Sequence, residues 1–128
     1  MRQIPTAAEA ATLLALSLKR KEDELTKELS RARISEKTLK RVTGRRRLDQ
    51  RFIADLNECL LDFDLILVDT GEAIGLLRAS SVKGWPRMNA NRIIDEIESS
   101  RRGKLDFEAI TNELAESTAA LDEEEAEP

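Results

Sequence analysis

From Thr6 to Thr43 the chain contains neither glycine nor proline, and this stretch constrains the fold more than any other. Without those breakers, apolar residues at three- and four-residue steps read as helix. Thr6 after Pro5, with Glu9 three residues on, has the pattern of a capping box that opens a helix. Ala11, Leu14 and Leu18, with Ala7, Ala10 and Leu13 beside them, form one apolar stripe. Leu25, Leu29 and Ala32 form a second. The charged patch from Lys19 to Glu24 separates the two stripes; either one long helix crosses it or it divides the stretch into two helices, the second ending near Arg33, and two are preferred.

Ser35 is placed to cap a short helix over residues 36 to 43, with Glu36 favourable at its positive end and Gly44 stopping it. Leu48, Phe52, Ile53, Leu56 and Leu60 describe an amphipathic helix over about residues 49 to 61. The runs LILVD (65 to 69) and AIGLLR (73 to 78) flank Thr70-Gly71-Glu72, which predicts a β-hairpin over about 65 to 78. Residues 80 to 86 read as loop, with Val82 and Trp85 anchoring it to the core. Asn89 or Asn91 is expected to cap a helix carrying Ile93, Ile94 and Ile97, closed near Gly103. Asp106 is expected to cap a last helix carrying Ile110 and Leu114. The fold class is therefore mainly α, with one small hairpin and extra helices flanking a core.

Composition narrows the function classes. The chain has 128 residues and no histidine, which removes ordinary zinc sites and histidine-based acid, base or nucleophile machinery. No tyrosine is present, and three phenylalanines with one tryptophan are too few for a base-stacking platform. Cys59 is a lone thiol in an amphipathic helix and reads as a small hydrophobe. The apolar run of residues 10 to 18 is too short to span a bilayer, which takes ~20 residues. A cytoplasmic protein without membrane attachment is the expectation. Asp62, Asp64, Asp69 and Glu72 cluster in sequence, but no lysine completes a metal-nuclease motif around them. No enzyme activity, cofactor or metal is expected.

Charge is distributed unevenly. The net charge is -4 overall. Residues 19 to 51 stand at +7, whereas residues 105 to 128 hold nine acidic groups and no basic one. A basic segment therefore sits inside an acidic protein, and the average misleads about partners.

The basic segment contains ELSRARISEKTLKRVTGRRRL, residues 28 to 48. It reads as a helix, a tight turn centred on Ile34, and a short second helix held inward by Leu39 and Val42. Lys37, Thr38, Lys40 and Arg41 are left facing out. A basic helix braced by another is the arrangement that enters a DNA major groove. Arg45, Arg46 and Arg47 follow, positioned to hold phosphates, with Arg33 and Arg51 as further candidates. The pattern I-S-x-x-T-L-x-R, with Ser35, Thr38, Leu39 and Arg41, resembles the turn and recognition helix of bacterial and phage helix-turn-helix regulators. Thr43-Gly44-Arg45-Arg46-Arg47-Leu48 is similar to the segment that follows it in Cro/repressor-type proteins. The resemblance spans about 21 residues of the chain. It departs from the pattern at Arg33, where glycine is usual, and at Leu48, where proline often stands. The hairpin points to a winged-helix variant, although Asp69 and Glu72 at its tip repel phosphate.

The resemblance implies a sequence-specific regulator of double-stranded DNA, acting as a homodimer, with Ser35 capping the helix and Lys37, Thr38 and Arg41 touching DNA. The alternative is a non-enzymatic interaction module, such as a phage or plasmid accessory protein that regulates a partner protein. In that reading the stripe of residues 7 to 18 packs on the partner or across a dimer axis. One domain over residues 1 to 116 is expected, followed by an acidic disordered tail from 117 to 128.

Overall fold

A computed structural model of the chain describes residues 3–126, with side chains as far as residue 118. Two units are distinguished, Met1–Pro86 and Arg87–Pro128.

The first unit opens with α1, Ala7–Leu25. Its start is the expected capping box: Glu9 N–H donates to Thr6 Oγ1 at 3.1 Å, and Thr6 N–H donates to Glu9 Oε1 at 2.9 Å. The helix crosses the charged patch in one piece, where a break was expected. Lysine, arginine and glutamate favour helix, and all of Lys19 to Glu24 except Glu22 are exposed, so no charge has to be buried to continue it. The helix ends at Thr26, in the left-handed region at φ 52°.

No helix ends near Arg33 and no turn is centred on Ile34; Arg31–Ile34 form a strand, β1. Ala32 and Ile34 are partly buried while Arg31 and Arg33 are exposed, the two-residue alternation of a half-buried strand. Glu22 ties this region together. Its carboxylate accepts from Leu29 N–H at 2.7 Å and pairs with Arg78 at 2.9 Å, which holds the carboxyl below the usual glutamate range.

Helix α2, Glu36–Thr43, is capped as expected, with Thr38 N–H donating to Ser35 Oγ at 3.1 Å. Gly44 closes it at φ 69°, and a Cβ there would stand 3.1 Å from Pro5 Cδ. Asp49 then caps α3, Gln50–Leu61, by accepting from Phe52 N–H at 2.8 Å. Strands β2, Leu65–Asp69, and β3, Ile74–Arg78, form the expected hairpin. Asp69 accepts from Gly71 N–H and Thr70 Oγ1 from Ala73 N–H, which shapes the turn. The antiparallel sheet has the order β1-β3-β2, with Ala32 opposite Leu76 and Leu67 opposite Leu76 from the other side.

Leu14, Leu39, Leu56, Leu60 and Leu65 are fully buried between α1, α2, α3 and the sheet. Each contributes roughly 1.5–3 kcal/mol of apolar burial. Much of the stripe of α1 is thus the core of its own unit, through Ala10, Ala11, Leu14 and Leu18, whereas Leu13 beside it is exposed. Cys59 packs against the same core as a small apolar group. The free edge of β2 is covered: Leu67 N–H donates to Asn57 Oδ1 at 2.7 Å, and Asn57 Nδ2 donates to Leu67 O at 3.2 Å.

After β3 the chain makes a 3-10 helix, Ala79–Gly84. Val82 and Trp85, expected as core anchors, are 46% and 52% exposed. The anchor is polar instead. Asp64, left-handed at φ 60°, accepts from the Ser80 N–H and hydroxyl at 2.9 and 2.6 Å.

The second unit holds a 3-10 turn, Asn91–Ile93, then α4, Ile94–Arg101, and α5, Phe107–Ala126. Gly103 ends the first helix at φ 69° and Ala109 N–H donates to Asp106 Oδ1, as the sequence predicts. Neither Asn89 nor Asn91 caps α4, whose N-cap is Ile93 with no side-chain bond: Asn89 Oδ1 accepts from Asn91 N–H in a local turn, and Asn91 and Ile93 belong to the 3-10 turn before the helix. Side chains beyond residue 118, which carry most of the acidic tail expected to be disordered, lie outside the described residues. No helix among the described residues is long and apolar enough to cross a membrane. The chain is mainly helical with one three-stranded sheet.

Candidate nucleic-acid interface

The short helix α2 is fastened from beneath and basic on top. Leu39 and Thr43 are buried, and Val42 packs at the margin of the core. Lys37, Thr38 and Arg41 are exposed, and Lys37 and Arg41, four residues apart, share one helix face. Lys40 is half-buried and paired with Glu36 at 3.0 Å, so its charge is already partly matched. Ser35 Oγ donates to Thr38 Oγ1 at 2.8 Å, and these two hydroxyls therefore serve the helix start.

The three consecutive arginines after α2 do not act alike. Arg45 turns inward. Its Nη1 donates to Pro5 O and Thr43 O, each at 2.9 Å, and its guanidinium lies 3.7 Å above the centre of the Phe52 ring. It braces the α2–α3 loop against the start of α1. Arg46 and Arg47 are exposed, and neither has an ion-pair partner among the described residues.

Arg33, Lys40, Arg46 and Arg47 line one groove of 830 Å³ whose far wall is the hairpin turn with Asp69 and Glu72. Ser35 lies in the same groove. Glu36 and Asp49 line the near wall as well, and Glu36 is paired with Lys40, so the basic excess on that side rests on Arg33, Arg46 and Arg47, while the hairpin tip is acidic and disfavours an anion. Arg51 is exposed in the first turn of α3, away from that lining. The remaining exposed face of α3 is acidic, with Asp55 and Glu58.

One basic residue escaped the sequence reading. Arg31 is exposed two positions before Arg33 on the same face of β1, and both border a 420 Å³ groove shared with Lys21 and Thr38. The signal was the alternation in Arg31-Ala32-Arg33-Ile34, which helical spacing concealed. Among the described residues, no three His, Cys, Asp or Glu side chains are grouped so as to hold a metal ion.

No family model, curated protein or solved structure matched the chain.

Proposed function

We propose that the chain is a double-stranded DNA-binding regulator of the helix-turn-helix class, in its winged form, acting without catalysis. The observation that carries this reading is the exposed basic surface of Lys37, Arg41, Arg46 and Arg47 on α2 and the loop after it, fixed from beneath by Leu39, Thr43 and Arg45. The order helix, strand, helix, helix, hairpin is compatible with a winged arrangement in which α2 and α3 form the helix pair. Because the exposed face of α3 carries Asp55 and Glu58, the reading rests on α2 and the loop after it as the DNA-facing part of that pair. The residues capped by Ser35 meet the major groove, Lys37, Thr38 and Arg41 approach base edges, and Arg33, Arg46, Arg47 and Arg51 hold phosphates. Arg45 supports that surface from inside.

The acidic outer face of α3 and the acidic hairpin tip favour a second reading, a protein-interaction module that binds a basic partner. One titration separates the two. Fluorescence anisotropy with random duplex DNA at low and moderate salt is expected to give binding that weakens steeply with salt, by about 0.9 in log-log slope for each phosphate neutralised. Absence of salt-sensitive binding overturns the DNA reading.

A further inference from the structure

The two edges of the sheet differ. Arg78 N–H donates to Ser30 O at 2.8 Å, and the antiparallel register then turns the backbone groups of Ala32 and Ile34 toward β3 as well. Those of Arg31 and Arg33 therefore point away from the sheet. On the opposite edge Asn57 satisfies both backbone groups of Leu67, whereas nothing among the described residues bonds the outward N–H and C=O groups of Arg31 and Arg33. An edge strand open in this way is a template for one further strand.

The groove of 420 Å³ along this edge selects the occupant. Its apolar part is formed by Leu14, Leu18, Leu29 and Leu76 around Ala32, whose side chain is a single methyl group. Its charged part is basic throughout: Lys21, Arg31 and Arg33 line it and no carboxylate does. In the flanking segments Glu22 is paired with Arg78 and Glu36 with Lys40, while Asp23, Glu24 and Glu28 lie outside the lining. Arg31 and Arg33 share the exposed face of β1, and Ala32 lies on the other. A second copy of β1 added antiparallel would set arginine opposite arginine, which like charge disfavours. We propose that the free edge of β1 takes up an extended acidic segment of a partner protein by strand addition, with carboxylates opposite Arg31 and Arg33 and an apolar side chain between them over Ala32. The proposal does not depend on the DNA reading.

Fluorescence anisotropy of the full chain with a labelled heptapeptide of alternating glutamate and valine tests it. Saturable binding is expected. The same residues arranged as separate glutamate and valine blocks are expected to bind about tenfold more weakly, since they cannot present carboxylates to one face and valine to the other. N-methylation of one alternate set of peptide amides is expected to abolish binding, and of the other set to be tolerated, because only one set faces β1. Arg33→Ala is expected to weaken binding by up to about fivefold through the lost charge. Arg33→Pro, which also removes an outward N–H at a position where an edge strand accepts proline, is expected to weaken it by about tenfold more, with circular dichroism confirming that the fold is kept. Absence of saturable binding up to about 1 mM peptide overturns the proposal. Equal binding of the block peptide, or indifference to which amides are methylated, overturns it too, by reducing the surface to general attraction for polyanions, nucleic acid included. Self-association of the chain that Arg33→Pro abolishes assigns the edge to a second copy and overturns it likewise.

Discussion

Arg45 and Arg46 are adjacent in sequence and are expected to fail in opposite ways. Arg45→Ala removes two hydrogen bonds from a charged donor, to Pro5 O and Thr43 O, and the stacking over Phe52. Bonds to charged groups contribute about 1.5–3 kcal/mol when well buried, but this guanidinium is half-buried and water can replace it at the two carbonyls. Taking the low end of that range for the two bonds together and adding ~0.5–1 kcal/mol for the ring contact gives a loss of about 2–2.5 kcal/mol. For a unit of 86 residues that corresponds to a fall in Tm of roughly 8–20 °C. Arg46→Ala, at an exposed position, should change stability by no more than about 0.5 kcal/mol. It should instead lower the salt slope of DNA binding by about 0.9, with affinity reduced alike across sequences. Thermal denaturation followed by circular dichroism, paired with anisotropy at three salt concentrations, reads both effects on both variants. If Arg45→Ala melts like the parent and loses salt slope, the division of labour argued from the geometry is wrong.

Gly44→Ala should cost about 1–2 kcal/mol of stability for the left-handed backbone alone, read as a lower urea midpoint at constant m. The added Cβ also presses on Pro5, the residue that accepts from Arg45. Asn57→Ala should cost about 1–3 kcal/mol by leaving the Leu67 N–H and C=O without their partner. It should also raise concentration-dependent light scattering, because an uncovered strand edge pairs with other chains. The Glu22 carboxyl is held below its ordinary value of 4.5, first by Leu29 N–H and then by Arg78. Its unfolded form therefore takes up a proton more readily than the folded one. The stability it contributes is complete above pH 4.5 and is lost as the pH falls through the depressed folded value. Glu22→Gln should flatten the acid limb of a pH–stability profile and leave its shape near neutrality unchanged. Asp64, held below 3.8 by the Ser80 hydroxyl and N–H, adds to the same limb at lower pH.

The elements with local signals were legible in the sequence. Thr6 with Glu9, Ser35, Gly44, Asp106 and the Thr70-Gly71 turn each act within four residues, and each does in the structure what its type and spacing dictate. Strand β1 was not legible. Four residues are too few to establish a period, Leu25, Leu29 and Ala32 also satisfy helical spacing, and the strand exists because Ala32 meets Leu76 from a distant segment. The same holds at the candidate site. An excess of arginine at 45 to 47 is visible in composition, but the inward turn of Arg45 depends on Pro5 and Phe52, which lie on either side of it in the chain. Trp85 misled for a related reason: its size argued for burial, while the Asp64 to Ser80 contacts fix the segment at the surface.

The central strand of the sheet is also the last of the three to be synthesised. Emerging from a ribosome, β1 can pair with nothing until Ile74–Arg78 has followed it, since β2 does not lie beside it. Glu22 likewise waits for Arg78, 56 positions later, for its ion pair. Nascent chains shorter than this hold an apolar α1 face and an unmatched strand edge exposed to whatever is nearby, the circumstance in which holding chaperones act. Completion of the first unit is therefore a late event, tied to one strand, so truncation just before Ile74 should abolish far more order than the few residues it removes.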